Sequence, residues 1–174
     1  MEGIPTSNEK SKKIEFPKIS NEILAMAEED QSMRMAMNDG AEWDHDIDVR
    51  NTERMKAIVA EIGWPTKSKV GEWPSYNAWL LVQHAMHDID FMRHCLELMR
   101  AAPSEEIDPA NIAMLEDRLN THDGLPQKYG TQYSQSGERF EVEDVEKLDE
   151  LRKAVGLPSI AEEEEDRKQY QKTD

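Results

Sequence analysis

Only one cysteine, Cys95, occurs in 174 residues, so no internal disulfide can form, and a lone thiol suits a reducing compartment. Aromatic residues are scarce at 6%. No apolar run approaches the roughly 20 residues needed to span a bilayer. Basic residues are outnumbered, 21 against 37 acids, for a formal net charge of −16. A surface of that sign repels phosphate backbones and anionic lipids, which disfavours nucleic acid and membrane as partners and leaves a basic protein partner open. The opening stretch MEGIPTSNEKSKKIEF also lacks the apolar core of a signal peptide. A cytoplasmic protein is expected.

What is present is enough apolar material, 37% of residues, for one modest core. Residues 1–18 are polar and aperiodic and read as an arm, 19–161 as a single helical domain, and 162–174 as an acidic polar tail. A first helix runs from Ser20 to Gly40 with Ile23, Leu24, Ala27 and Met35 as its stripe, and a second from about Asn51 to Ile62. Gly63-Trp64-Pro65 is a stop signal. Ser75 is placed as the cap of a third helix ending near Met86. A break follows near His87, after which Asp88 caps the helix of Phe91, Cys95, Leu98 and Met99. Asp108-Pro109 opens the helix of Ile112, Leu115 and Leu119. Residues 121–142 then lack helical periodicity and read as a long loop or a small hairpin turning at SQSG. Val145, Leu148, Leu151 and Val155 mark one more helix, and Ser159 with Glu162 forms a capping box for a short last one. The fold class is mainly α: a single compact bundle of five or six helices, with the loop at 121–142 folded over one end.

Polar residues interrupt the apolar pattern in several places. In WLLVQHAMHD, residues 79–88, Gln83 and His84 follow four apolar residues. They are either a satisfied core pair or part of a site. Asp30, Gln31 and Arg34 share the apolar side of the first helix. Asp117 and Arg118 adjoin the stripe of Leu115 and Leu119, either as a solvated pair or as site residues. Tyr129, Thr131 and Gln132 flank Gly130 in KYGTQY, either a tight turn covering the core or a backbone approach to a ligand. A metal site would draw on His84, His87 and Asp88. The order His45, His87-Asp88, Asp117 also resembles that of the HD-type metal phosphohydrolases, which are likewise all-α. The helix break near His87 and the nearby arginine count against a cation, so neither metal nor cofactor is expected.

Taken together, DQSMR (30–34), NTERMKAIVAEIGWP (51–65), VG (70–71), WLLVQH (79–84), EDR (116–118), KYGTQ (128–132) and AVGLP (154–158) resemble an uncharacterised bacterial family catalogued only as a domain of unknown function. The likeness covers about residues 20–160. Members often read QHAD followed by a proline, where this chain has Met86 and Ile89. The resemblance supplies candidate residues and no reaction. It implies that Gln83 and His84 face a polar cavity.

Whether the protein is an enzyme is left open. The favoured expectation is a small hydrolase or transferase acting on a small polar or anionic substrate in a His84-centred pocket. His84 serves as general acid or base and Asp117 orients it. Arg118 binds an anionic group, and Gln83 and Gln132 position substrate beside Asp30, Arg34, Tyr129 and Thr131. His84 is expected to bond one of Gln83, Asp117, Arg118 or Gln132. The rival is a non-catalytic acidic module that binds a basic partner.

Overall fold

Caps, more than apolar stripes, decide where the helices begin. A computed structural model describes residues 13–38, 40, 42 and 44–171. Most of the expected N-terminal arm lies outside them, and residues 13–16 run beside the 68–69 backbone, Phe16 N–H donating to Lys69 O at 2.8 Å. Helix α1 (Pro17–Asn38) starts with a proline in its first turn, three residues before Ser20. Helix α2 (His45–Ile62) starts almost two turns before Asn51, because Asp44 caps it by accepting from Asp46 N–H at 3.0 Å. The added turns bury only Ile47, and the next buried positions are Asn51 and Thr52. A buried face whose one early apolar residue is followed by two polar ones escapes a search for apolar periodicity. Gly63, at φ +69°, ends α2 with its N–H on Val59 O, and Trp64 tucks into the core.

The one-turn α3 (Lys67–Val70) leads through Gly71 into α4 (Glu72–Gln83), so Ser75 lies inside a helix and caps nothing. Helix α4 ends at Gln83, and the chain breaks over 84–88, as the aspartate cap implied. Asp88 accepts from Phe91 N–H at 3.0 Å to start α5 (Ile89–Ala101). Asp108 caps α6 (Pro109–His122) through Ala110 N–H at 2.9 Å. Two further helices, α7 (Leu148–Ala154) and α8 (Ile160–Gln171), bring the total among the described residues to eight. The fold is a compact, mainly α bundle. No helix among the described residues is long and apolar enough to cross a membrane.

Helix α4 is the hub, packing on α1, α2, α3, α5 and α6. Its Ala78 and Val82 join Ile23, Met55, Ile58, Met92 and Leu115 in one core. Cys95 is buried there too, and burial pushes its thiol up to about 12, so it is an inert core residue. Because the hub ends at Gln83, the next residue, His84, leaves the helix and meets Asp30 on α1.

Residues 123–147 form no strand among those described. Ser134 N–H donates to Glu138 O at 2.8 Å and Phe140 N–H to Gln132 O at 3.2 Å, which makes the SQSG hairpin. The buried amide of Gln127 takes the place of a longer ladder. Its Nε2 donates to Gln132 O and Phe140 O, both at 3.0 Å, while its Oε1 accepts from Gln132 N–H. The expected polar tail from 162 is instead most of α8, capped by the Ser159–Glu162 box. It is tied down by Arg152, 1% exposed, which donates to Tyr129 O at 2.8 Å, to Pro158 O at 2.6 Å and to the Glu163 carboxylate.

Candidate functional site

Asp30 and Arg34 lie one turn apart on α1, so their side chains meet on one face. The guanidinium grips the carboxylate with Nε to Oδ2 at 3.1 Å and Nη2 to Oδ1 at 3.1 Å. Nη2 also donates to Asp48 Oδ1 on α2 at 2.9 Å. Gln31 Nε2 donates to Asp30 Oδ2 at 2.7 Å. His84 is the first residue past α4, its N–H on Leu81 O, and leaving the helix directs its ring to α1. There Nδ1 lies 3.0 Å from Asp30 Oδ1 and 3.1 Å from Arg34 Nε.

Those two distances decide the tautomer. Nδ1 cannot both donate to Asp30 and accept from Arg34. Placing its lone pair 3.0 Å from a buried carboxylate would be repulsive, whereas Arg34 Nε already has Asp30 Oδ2 as an acceptor. The assignment that satisfies every group is Nδ1–H donating to Asp30, which leaves the Nε2 lone pair available. At 17% side-chain exposure the ring is accessible, while Asp30, at 1%, is not.

The electrostatics agree with that assignment. Burial pushes the Asp30 carboxyl up, but hydrogen bonds from His84, Arg34 and Gln31 outweigh it and hold the pKa at about 2. Asp48 goes the other way: burial raises it, and the Arg34 charge only partly opposes that. Among the described residues, Asp30, Asp48 and His84 are the three whose ligand atoms all lie within 4.8 Å of one another, a set that can hold a metal. In this structure the cation among them is Arg34.

Asp117 is not the partner of His84. Fully buried on α6, it accepts from the backbone N–H groups of Lys128 at 2.8 Å, Tyr129 at 3.0 Å and Thr131 at 3.0 Å, and from Thr131 Oγ1 at 3.0 Å. Its carboxylate therefore shapes the KYGTQ turn. Tyr129 packs in a small cluster with Ala113 and Leu157, and Gln132 Nε2 donates to Thr131 Oγ1 at 3.1 Å. Tyr129, Thr131 and Gln132 are thus occupied within the turn, and His84 bonds Asp30 instead of the expected set. The two aspartates of the H, HD, D order are likewise engaged elsewhere: Asp88 caps α5 and pairs with Lys56, and Asp117 holds the turn.

Arg118, about 100° further round α6, faces away from that turn. Burial lowers its pKa first, and the charge of Arg34 lowers it further. It has no acidic partner among the described residues, and its buried Nε lacks an acceptor. Asn51 Nδ2, Trp79 Nε1 and Gln83 Nε2 share that condition. An unsatisfied buried donor typically costs about 1–3 kcal/mol, so four are a substantial load. Pattern reading singles out Asp30, Arg34, Gln83, His84 and Arg118, but misses Asp48, Asn51 and Trp79. The available signal was the spacing Asp48, Asn51, Met55, one turn at a time, which extends the second helix back into EWDHDIDVR.

One family model spans both the DQSMR residues that hold His84 and the WLLVQH segment that carries it. The chain belongs to DUF6624, a family of unknown function. The family model matches residues 17–167, from the first turn of α1 to most of α8. The DUF6624 match thus takes in every residue of the Asp30–Arg34–Asp48–His84 cluster. Neither a curated protein nor a solved structure matches the chain.

Proposed function

We propose that the protein is a small enzyme, a hydrolase or transferase acting on a small polar substrate, with His84 as general base and Asp30 as the residue that positions it. The single observation that carries this is the Asp30 carboxylate 3.0 Å from His84 Nδ1. It fixes the ring, favours the tautomer with a basic Nε2, and stabilises the imidazolium once a proton has been taken. Asp30 itself stays ionised, since its donors keep its pKa at about 2. The partly exposed ring can reach a bound water or hydroxyl, and on collapse of an intermediate Nε2–H returns its proton to the leaving group. Arg34 keeps Asp30 from rotating away.

The test starts without a substrate. Long-range proton–nitrogen NMR spectra should show neutral His84 protonated at Nδ1, and Asp30→Asn should change that tautomer balance. Hydrolysis of activated ester and phosphate substrates should then fall by about 10²–10⁴-fold in His84→Gln with the fold retained. Neutral His84 protonated at Nε2 in the native protein would overturn the assignment.

A second reading has an observation of its own: the Asp30, Asp48 and His84 ligand atoms are close enough to share an ion. In that case His84 Nδ1 would bind the metal and Arg34 would have to swing out. Its donors to both carboxylates favour the general base. Arg34→Ala is expected to convert the cluster into a zinc site, whereas the native protein should show no stoichiometric zinc by elemental analysis. About one equivalent in the native protein, lost in His84→Gln, would favour the metal reading.

A further inference from the structure

Every buried side-chain atom left without a partner among the described residues is a nitrogen: Asn51 Nδ2, Trp79 Nε1, Gln83 Nε2 and Arg118 Nε. Chance would mix unpaired oxygens with unpaired nitrogens, so a set made only of donors points to a missing acceptor. Their positions agree. Gln83 adjoins His84 in sequence, and Trp79 lies one turn before it on the same face of α4. Asn51 lies one turn beyond Asp48 on α2. Arg118 is close enough to Arg34 to be lowered by its charge. Asn51, Trp79 and Gln83 are each more than nine-tenths buried, so water is a poor substitute partner. Three of the four thus neighbour the Asp30–Arg34–Asp48–His84 cluster along α2 and α4, and the fourth, on α6, feels the charge of Arg34.

Arg118 supplies the charge. Asp30 and Asp48 already hold Arg34, whereas Arg118 is half-buried, has no acceptor for its Nε and is repelled by Arg34. Only an anion relieves all three conditions at once. The neighbouring carboxylates cannot serve as that anion, because Asp117 is turned onto the loop backbone and Glu116 pairs with Arg100.

We propose that Arg118, with Gln83 and Asn51, forms an oxyanion subsite beside His84 that takes a carboxylate or phosphoryl group of the ligand. It deepens the general-base assignment by naming the substrate class and rests on that assignment only for the chemistry that follows binding. An oxyanion held by Arg118 and the Gln83 amide would place the adjoining atoms of the same molecule next to the His84 ring. Trp79 Nε1 then offers a further donor to the ligand on the α4 side.

The experiment measures the melting temperature of native, Arg118→Met and His84→Gln protein, alone and with inorganic phosphate, acetate or chloride at matched ionic strength. Native protein should rise by about 3–5 °C at roughly ten times the dissociation constant of the bound anion. A response to phosphate alone identifies a phosphoryl group, and one to acetate alone a carboxylate. Arg118→Met should abolish the response, yet melt about 2–4 °C higher than native protein without anion, since the change removes a half-buried cation whose Nε has no acceptor. His84→Gln should keep the response, which separates a failure of the base assignment from a failure of the subsite. If neither oxyanion outdoes chloride, or if Arg118→Met lowers the melting temperature of the free protein, the subsite is overturned.

Discussion

Asp30 accepts from three side chains at once, and its pKa near 2 has a consequence for acid stability. A carboxyl whose folded pKa lies below its ordinary 3.8 stabilises the fold above pH 3.8 and loses that contribution as pH falls toward 2. The amount is on the order of 2 kcal/mol. Urea midpoints of native protein should therefore drop between pH 4 and 2 more steeply than those of Asp30→Asn, which should be about 3 kcal/mol less stable at pH 7 because Arg34 loses its main partner. Asp48 carries the opposite sign. Its pKa is raised by burial, so its ionised form is penalised, and that penalty grows as pH rises through the folded pKa. Asp48→Asn keeps an oxygen for Arg34, and its melting temperature should match or exceed the native value at pH 7, with no gain at pH 3. A large loss at pH 7 would show that the Arg34–Asp48 charge pair outweighs desolvation.

At the level of elements, the KYGTQ turn illustrates a limit of pattern reading. The sequence marks Asp117 as an acid beside an apolar stripe, but a helix position does not say which neighbour will come to it. A loop of more than 20 residues folds back from beyond the end of α6, and three of its N–H groups find the nearest buried carboxylate. Asp117→Asn puts an amide N–H against those donors and should cost about 3 kcal/mol in urea unfolding. Unchanged stability with lost turnover would return Asp117 to the catalytic set. Gly130 stands at φ +65°, and an added Cβ would lie 3.1 Å from Arg139 Cδ, so Gly130→Ala should cost about 1–3 kcal/mol. Caps such as Asp88 and Asp108 were legible because their chemistry is local. The start of α2 was not, since Ile47 is the one apolar residue it buries before Met55. The pairing of Asp30 with His84, 54 residues apart, was beyond reach for a related reason. Both residues stood out as polar on apolar faces, but only the packing of α1 on α4 decides that they meet.

For the molecule as a whole, 16 net negative charges repel one another. Raising salt from 10 to 150 mM shortens the screening length from about 30 Å to about 8 Å. The melting temperature should rise by a few degrees, since exposed pairs such as Arg50–Glu29 and Arg93–Asp123 contribute little for salt to weaken. A fall would mean that local pairing dominates. If the acidic surface instead serves a basic partner, that binding should weaken with salt and be indifferent to His84→Gln. The bond network of Arg152 sets where the chain can be trimmed. Gly156 and Pro158 look like a natural cut point, yet a version stopped there strands a guanidinium in the interior with Glu163 gone. Such a version should be recovered as aggregate, whereas one extending to Arg167 should be soluble. Arg152→Met should partly rescue the shorter version, because the methionine needs no counter-charge.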